Sequence, residues 1–121
     1  VLAKQDILRM QQVVRRVLVA RPVASYAVRL ARATRPASPE NPEFVRHYLT
    51  WGAGPRACQA LLLGGKARAA LDGRTFVTTD DVRAVAHDCL RHRLMLSYEA
   101  GAEGISADTV IAELTQRVAV A

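Results

Sequence analysis

The residues best suited to chemistry lie together in Trp51-Gly52-Ala53-Gly54-Pro55-Arg56-Ala57. Gly52 and Gly54 permit a sharp turn, and Pro55, with its fixed φ and no N–H to lose, suits the first position of a helix. Arg56 then falls in the first turn, a long cationic arm beside backbone N–H donors that have no acceptor within the helix. Such a helix start can meet an anion. Alone, a Gly-Pro-Arg run is weak, because an arginine in a first turn is more often simply solvated, so its meaning depends on its surroundings.

Other candidates carry less. Gly65-Lys66 resembles the end of a phosphate-binding loop, but that loop needs Gly five residues before Gly65 and Ser or Thr after the lysine, and Ala60 and Ala67 stand there. His47, His87 and His92 have no metal-ligand spacing with one another or with the cysteines, and read as surface or capping residues. No Ser, Cys or His combination shows the arrangement of a nucleophile and its base. Arg91-His92-Arg93 is a compact cationic group where a helix should end, which the helix dipole favours in any case. Cys58 and Cys89 each fall on the apolar stripe of a predicted helix and read as small core residues.

The elements that must position these residues are helical. Ile7, Met10, Val14, Val17 and Leu18 recur at three- and four-residue steps and predict a first amphipathic helix over 4–18. Pro22 opens a second, with Val23, Tyr26, Ala27 and Leu30 on one face, ending near Thr34. Pro36, Pro39 and Pro42 then impose a loop, followed by a short helix or extended piece containing Phe44, Val45, Tyr48, Leu49 and Trp51. A third long helix runs from Pro55, with Gly54 at its N-cap, to the Asp72-Gly73 stop. Gly64 and Gly65 in its middle each cost about 1 kcal/mol relative to Ala, which predicts a tight helix crossing there.

Thr75-Phe76-Val77 predicts a short extended connector, and Thr78-Thr79-Asp80-Asp81 a capping box that opens a fourth helix through Val82, Val85, Ala86 and Cys89. The segment 94–98 is ambiguous between strand and buried turn. Ser106 caps a last helix with Ile111, Leu114 and Val118 inward. The expected fold is all-α, a small bundle of roughly five helices with at most a short two-stranded element, in one domain over residues 1–121.

Composition agrees. The apolar residues are mainly Ala, Leu and Val, with aromatics at 5%, a mixture for packed helices. The net charge of +6 favours an anionic partner without choosing among nucleotide, nucleic acid and acidic protein, and the arginines are scattered as on solvated amphipathic helices. No apolar run is long enough to span a membrane, so no membrane partner and a cytoplasmic setting are expected. The chain opens on Val1 rather than Met, which suggests an excised segment.

Several pieces, weak singly, combine: Val17-Leu18-Val19, Tyr26-Ala27-Val28-Arg29-Leu30, Ala33-Thr34-Arg35, Gly52-Ala53-Gly54-Pro55-Arg56-Ala57, Lys66-Ala67-Arg68-Ala69 and Asp72-Gly73-Arg74. Val77-Thr78-Thr79-Asp80-Asp81-Val82, Val85-Ala86 and Leu90-Arg91-His92-Arg93 continue the series. In order and spacing, over roughly residues 1–118, the chain resembles the C-terminal lid of MoxR-family AAA+ ATPases. The resemblance implies that Arg56 is the sensor 2 arginine, contacting the γ-phosphate of ATP, with Gly54 and Pro55 positioning it. Guanidinium suits this role, being permanently charged and able to fork onto phosphate oxygens.

It implies further that ATP and magnesium serve the full-length protein and that neither is bound by this chain alone. The phosphate-binding loop, the magnesium-holding acid, sensor 1 and the arginine finger belong to an α/β core outside these residues, so this chain carries no catalytic residue. The implied partners are that core, neighbouring subunits of a hexameric ring, and client proteins, often with von Willebrand factor A domains, that are remodelled or assembled in a chaperone-like way. Whether Arg56 serves its own or a neighbouring subunit's site stays open. Two positions depart from the pattern: Gly54 stands where many members have Ser, and Gly64-Gly65 loosens an otherwise Ala-rich helix.

Two other classes make different demands. A helix-turn-helix DNA reader would use the helix from Asp80 to Arg91, but its two leading carboxylates would repel phosphates, so nucleic acid is not favoured. A free-standing basic helical adaptor would expose Trp51, Phe44 and Tyr48 as an apolar patch, whereas in a lid these pack on the domain or its core.

Overall fold

The computed structural model describes residues 1–120. Helix α1 spans Lys4–Arg16 and α2 Arg21–Ala33. A loop leads to α3 (Glu43–Tyr48), strand β1 (Leu49–Trp51) and α4 (Pro55–Leu71). Then come α5 (Thr79–Ala84), α6 (Ala86–Leu90), a 3-10 turn (Arg91–Arg93) and β2 (Met95–Leu96). Two helices, α7 (Tyr98–Ala102) and α8 (Ala107–Arg117), complete the chain.

The core forms around α4, the longest helix. Its buried stripe, Ala57, Leu61, Gly65 and Ala69, is made of small residues with a single large one. Small residues let neighbouring helices approach closely, and α1, α2, α5 and α6 all pack on it. Tyr26, Leu30, Leu90, Ile111 and Leu114, fully buried, fill the space between α2, α6 and α8. The glycine pair marks the closest approach. A Cβ on Gly65 would stand 2.9 Å from Val77 Cγ1, and one on Gly64 3.2 Å from Val85 Cγ2, so the expected tight crossing lies against α5 and the residues at its two ends.

Pairing of extended segments is minimal. β1 and β2 form an antiparallel ladder with Leu49 opposite Leu96 and Trp51 opposite Met95, an irregular register that accommodates one extra residue in β1. Leu18 bridges Phe76 in parallel: its N–H donates to the Thr75 carbonyl at 2.9 Å, and its carbonyl accepts from Val77 N–H at 2.9 Å. This bridge ties the α1–α2 connector to the segment before α5, the connector expected at 75–77.

The capping box at α5 is present. Thr78 Oγ1 accepts from Asp81 N–H at 3.3 Å, and Asp81 Oδ2 accepts from Thr78 N–H at 2.8 Å. The same carboxylate also takes a longer-range partner, since Arg74 forks onto it with two bonds of 2.7 Å. Arg74 and Thr78 together hold the buried Asp81 carboxyl down at about 2, against the opposing effect of burial.

Four expectations are refined. The roughly five helices appear as α1, α2, α4, α8 and a fourth broken at Val85 into α5 and α6, where the backbone adopts φ −98° and ψ 0°; α3 and α7 are additional short turns of helix. The first helix stops at Arg16 rather than Leu18, because Val17 turns extended to enter the bridge. Its apolar face is only partly covered by the packing on α4: α1 buries no residue fully, and Ile7, Met10 and Val13 stay exposed. Cys58 and Cys89 sit half-buried at the edge of the core rather than within it.

Candidate anion-binding site

The loop before α4 is fastened to the end of α2. Thr34 caps α2 and is fully buried; its hydroxyl donates to the Ala31 carbonyl at 2.7 Å and accepts from Ala53 N–H at 2.8 Å. Arg35 Nε donates to the Ala53 carbonyl at 3.1 Å, so both polar backbone groups of this buried alanine are held from one place. Gly52 lies flush against the same corner, where a Cβ would fall 2.3 Å from the Thr34 carbonyl oxygen. Only glycine permits that approach.

From this fixed corner the chain enters α4. Gly54 is the N-cap, extended at φ −90° with open space where a side chain would stand, and Pro55 takes the first helical position. Arg56, exposed in the first turn, makes no hydrogen bond or ion pair among the described residues. The structure therefore places Gly54, Pro55 and Arg56 together, and presents Arg56 outward from a helix start whose buried side rests on the α2 corner.

Around Arg56 lies an open concavity of about 540 Å3, lined by Trp51, Gly52, Gly54, Pro55, Ala57 and Arg93 as well as Arg56 itself. Among the described residues no carboxylate lines it. Trp51 stands 70% exposed and also borders a second concavity, of about 380 Å3, formed with Arg35, Pro36, Ala37 and Thr50. Beneath Arg93, burial pushes the Cys89 thiol up, opposed by the charge of Arg93.

The other candidates disperse. Lys66 lies inside α4 and donates to the Arg15 carbonyl at 3.1 Å, far from any loop that could cradle phosphate. His47 pairs with Glu103 at 3.3 Å and His87 with Asp108 at 3.1 Å, both on the surface. Phe44 and Tyr48 pack against the core, so they form no exposed patch with Trp51. The helix that a DNA reader would need is divided at Val85. Sequence reasoning had no means of finding the roles of Thr34, Arg35 and Arg93: each acts across at least 18 residues or through a shared wall.

Residues 43–114 match the family model described as AAA lid domain, more than half of the chain. The chain belongs to the AAA lid domain family. The lid is 35% identical over 119 residues to Chaperone MoxR1 of Mycobacterium tuberculosis, covering 98% of this chain and 32% of the relative. It is 32% identical over 120 residues to the uncharacterized protein YeaC of Bacillus subtilis, covering 99% of this chain and 35% of that protein. Among solved structures, the lid superposes on a "putative ATPase" from Cytophaga hutchinsonii with a TM-score of 0.90 and 34% identity, over 96% of this chain and 35% of that one. The lid thus spans about a third of the length of the relatives it matches. These likenesses make it a MoxR-like AAA lid, in agreement with the all-α fold expected from its periodicity.

Proposed function

We propose that this lid senses nucleotide for an ATPase core supplied elsewhere in a longer protein, with Arg56 as the sensor 2 residue that meets the γ-phosphate of ATP. The observation that carries the reading is the presentation of Arg56: an exposed guanidinium without a partner, at the start of the longest helix, on a loop fixed by Thr34 and Arg35. A permanently charged fork on a rigid base suits phosphate oxygens. The described lining of the concavity, with Arg56 and Arg93 and no carboxylate, suits the anion, and in this proposal the accompanying magnesium is held by the core. ATP supplies the bond to be hydrolysed; what this chain supplies is charge at one end of the phosphate chain and a helix that moves with it.

The surface of α1 supports the same reading. Met10, Val13 and Val14 border a concavity of about 740 Å3 with Ala70 and Leu71 of α4, and Leu71 is 90% exposed. The solved ATPase-like chain matches 96% of this one at a TM-score of 0.90 and is nearly three times longer, so the fold recurs within a larger chain. The occupant proposed for this face is the core of the same polypeptide. Assembly into a hexameric ring, a cytoplasmic setting, and chaperone-like remodelling of client proteins, including those with von Willebrand factor A domains, follow as parts of the proposal.

The test is Arg56→Ala in the intact protein. Hydrolysis of ATP should fall by roughly 10- to 100-fold, with the unfolding midpoint unchanged because Arg56 is exposed and unpaired. Unchanged hydrolysis would refute the assignment.

A further inference from the structure

We infer that Arg93 is the second cation of the same site, so that the lid grips the polyphosphate of a nucleoside triphosphate with two guanidinium groups rather than one. The inference rests on the reading of Arg56 given above and extends it to a residue 37 positions away.

Arg93 ends the 3-10 turn that follows α6, and its Nη1 donates to the Cys89 carbonyl at 2.8 Å while touching His92 Nε2. One edge of the fork is thus anchored at a helix C-terminus, where the dipole favours positive charge. Nε and Nη2 have no partner among the described residues. The side chain is half-buried and forms a wall of the concavity that holds Arg56, Trp51, Gly54 and Pro55.

Charge strengthens the case. Among the described residues Arg68, Arg74, Arg83, Arg91 and Arg117 pair with carboxylates and the other arginines do not, so what sets Arg56 and Arg93 apart is that these two unpaired cations line one concavity. Neither Arg56 nor Arg93 has a carboxylate within ion-pairing distance among the described residues, and both face one cleft that contains none. Two like charges sharing a cleft repel each other, and a polyanion between them converts that repulsion into attraction. The two cations differ in mobility. Arg56 extends freely from the start of α4, whereas Arg93 is held by its bond to Cys89, so Arg93 provides the fixed point against which the phosphate chain is oriented. A triphosphate offers oxygens for both; a diphosphate leaves one of them unmatched.

The experiment uses the intact protein and calorimetric titration with a non-hydrolysable ATP analogue and with ADP, each with magnesium, on Arg93→Ala, Arg93→Lys, Arg56→Ala and the double variant. Arg93→Ala should weaken the triphosphate analogue by about tenfold and ADP by less than twofold. Arg93→Lys, which keeps the charge and loses the fork, should fall between. Because both residues act on one ligand, the double variant should lose less, or more, than the product of the single losses. If Arg93→Ala and Arg93→Lys bind both nucleotides like the wild type, or if Arg93→Ala weakens both equally, Arg93 serves only the Cys89 carbonyl and the inference is overturned. If Arg56→Ala alone is silent, the sensor reading fails separately, and the two failures are distinguishable in one data set.

Discussion

The hydroxyl of Thr34, at the end of α2, and the backbone N–H of Ala53, two residues before Pro55, lie 2.8 Å apart inside the protein, fully out of water. This bond joins the helix that ends at Ala33 to the loop that presents Arg56. It makes the Thr34 side chain, together with Arg35, a fixed point for the loop that presents a cation 22 residues further on.

Replacing Thr34 with Val keeps the shape and removes the acceptor. The Ala53 N–H is then buried without a partner, a loss of about 1–3 kcal/mol. Thr34→Ser keeps the oxygen and should recover most of it. Chemical denaturation of the three proteins gives the comparison, and equal stability of the wild type and Thr34→Val would contradict the role assigned to this bond.

The glycines flanking Ala53 should respond in opposite directions. Gly52→Ala drives a methyl group into the Thr34 carbonyl and the Arg35 backbone, neither of which can turn aside, and should destabilise by about 3 kcal/mol or more. Gly54→Ser meets nothing within 4 Å and supplies a side-chain acceptor at the N-cap of α4, so it should stabilise by a few tenths of a kcal/mol. Thermal unfolding measured side by side settles both signs.

The Asp81 carboxyl titrates at about 2 in the folded chain, below the ordinary value of 3.8. A depressed folded pKa contributes stability that is fully present above about pH 4 and lost as pH falls from there toward 2. The contribution is about 2 kcal/mol. Asp81→Asn should therefore be less stable than the wild type at neutral pH, with the gap closing across this acid window. A gap that stays constant down to pH 2 would show that the Arg74 and Thr78 bonds do not hold the proton off.

Met10→Lys and Val13→Lys test the occupant of the α1 face. Both side chains are more than half exposed in this chain, where such changes alter stability by no more than about 0.5 kcal/mol. If the core of the longer protein covers them, the intact protein should lose more than about 1 kcal/mol for each. Indifference of the intact protein would leave α1 facing solvent and exclude the core from this surface.

Local signals in the sequence proved reliable where the partner lay within one turn of helix. Pro55 at a helix start, Ser106 and Thr78 as caps, and the glycine pair at a crossing all work through neighbours in sequence or through the absence of a side chain. The Arg74 fork on Asp81 was hidden because Asp81 already had a sufficient local explanation in the capping box. The periodicity of α1 correctly announced an apolar face but could not say that much of it stays exposed in this chain. Arg93 read as a helix-end cation, which it is; that its free edge shares a wall with Arg56 depends on how α4 and α6 pack, and no spacing encodes that.

The 17 residues of α4 form a rod about 25 Å long, with Arg56 near one end and the exposed Leu71 at the other. The helices α1, α2, α5 and α6 pack on this rod, and on the proposed reading it would act as a lever arm whose handle is a guanidinium. A tilt of only about 10° about the Arg56 end would sweep the Leu71 end through roughly 4 Å, enough to break one packed surface and form another. On the proposed reading of Arg56, this geometry would amplify the arrival or departure of a single phosphate group into a stroke that a neighbouring molecule can feel.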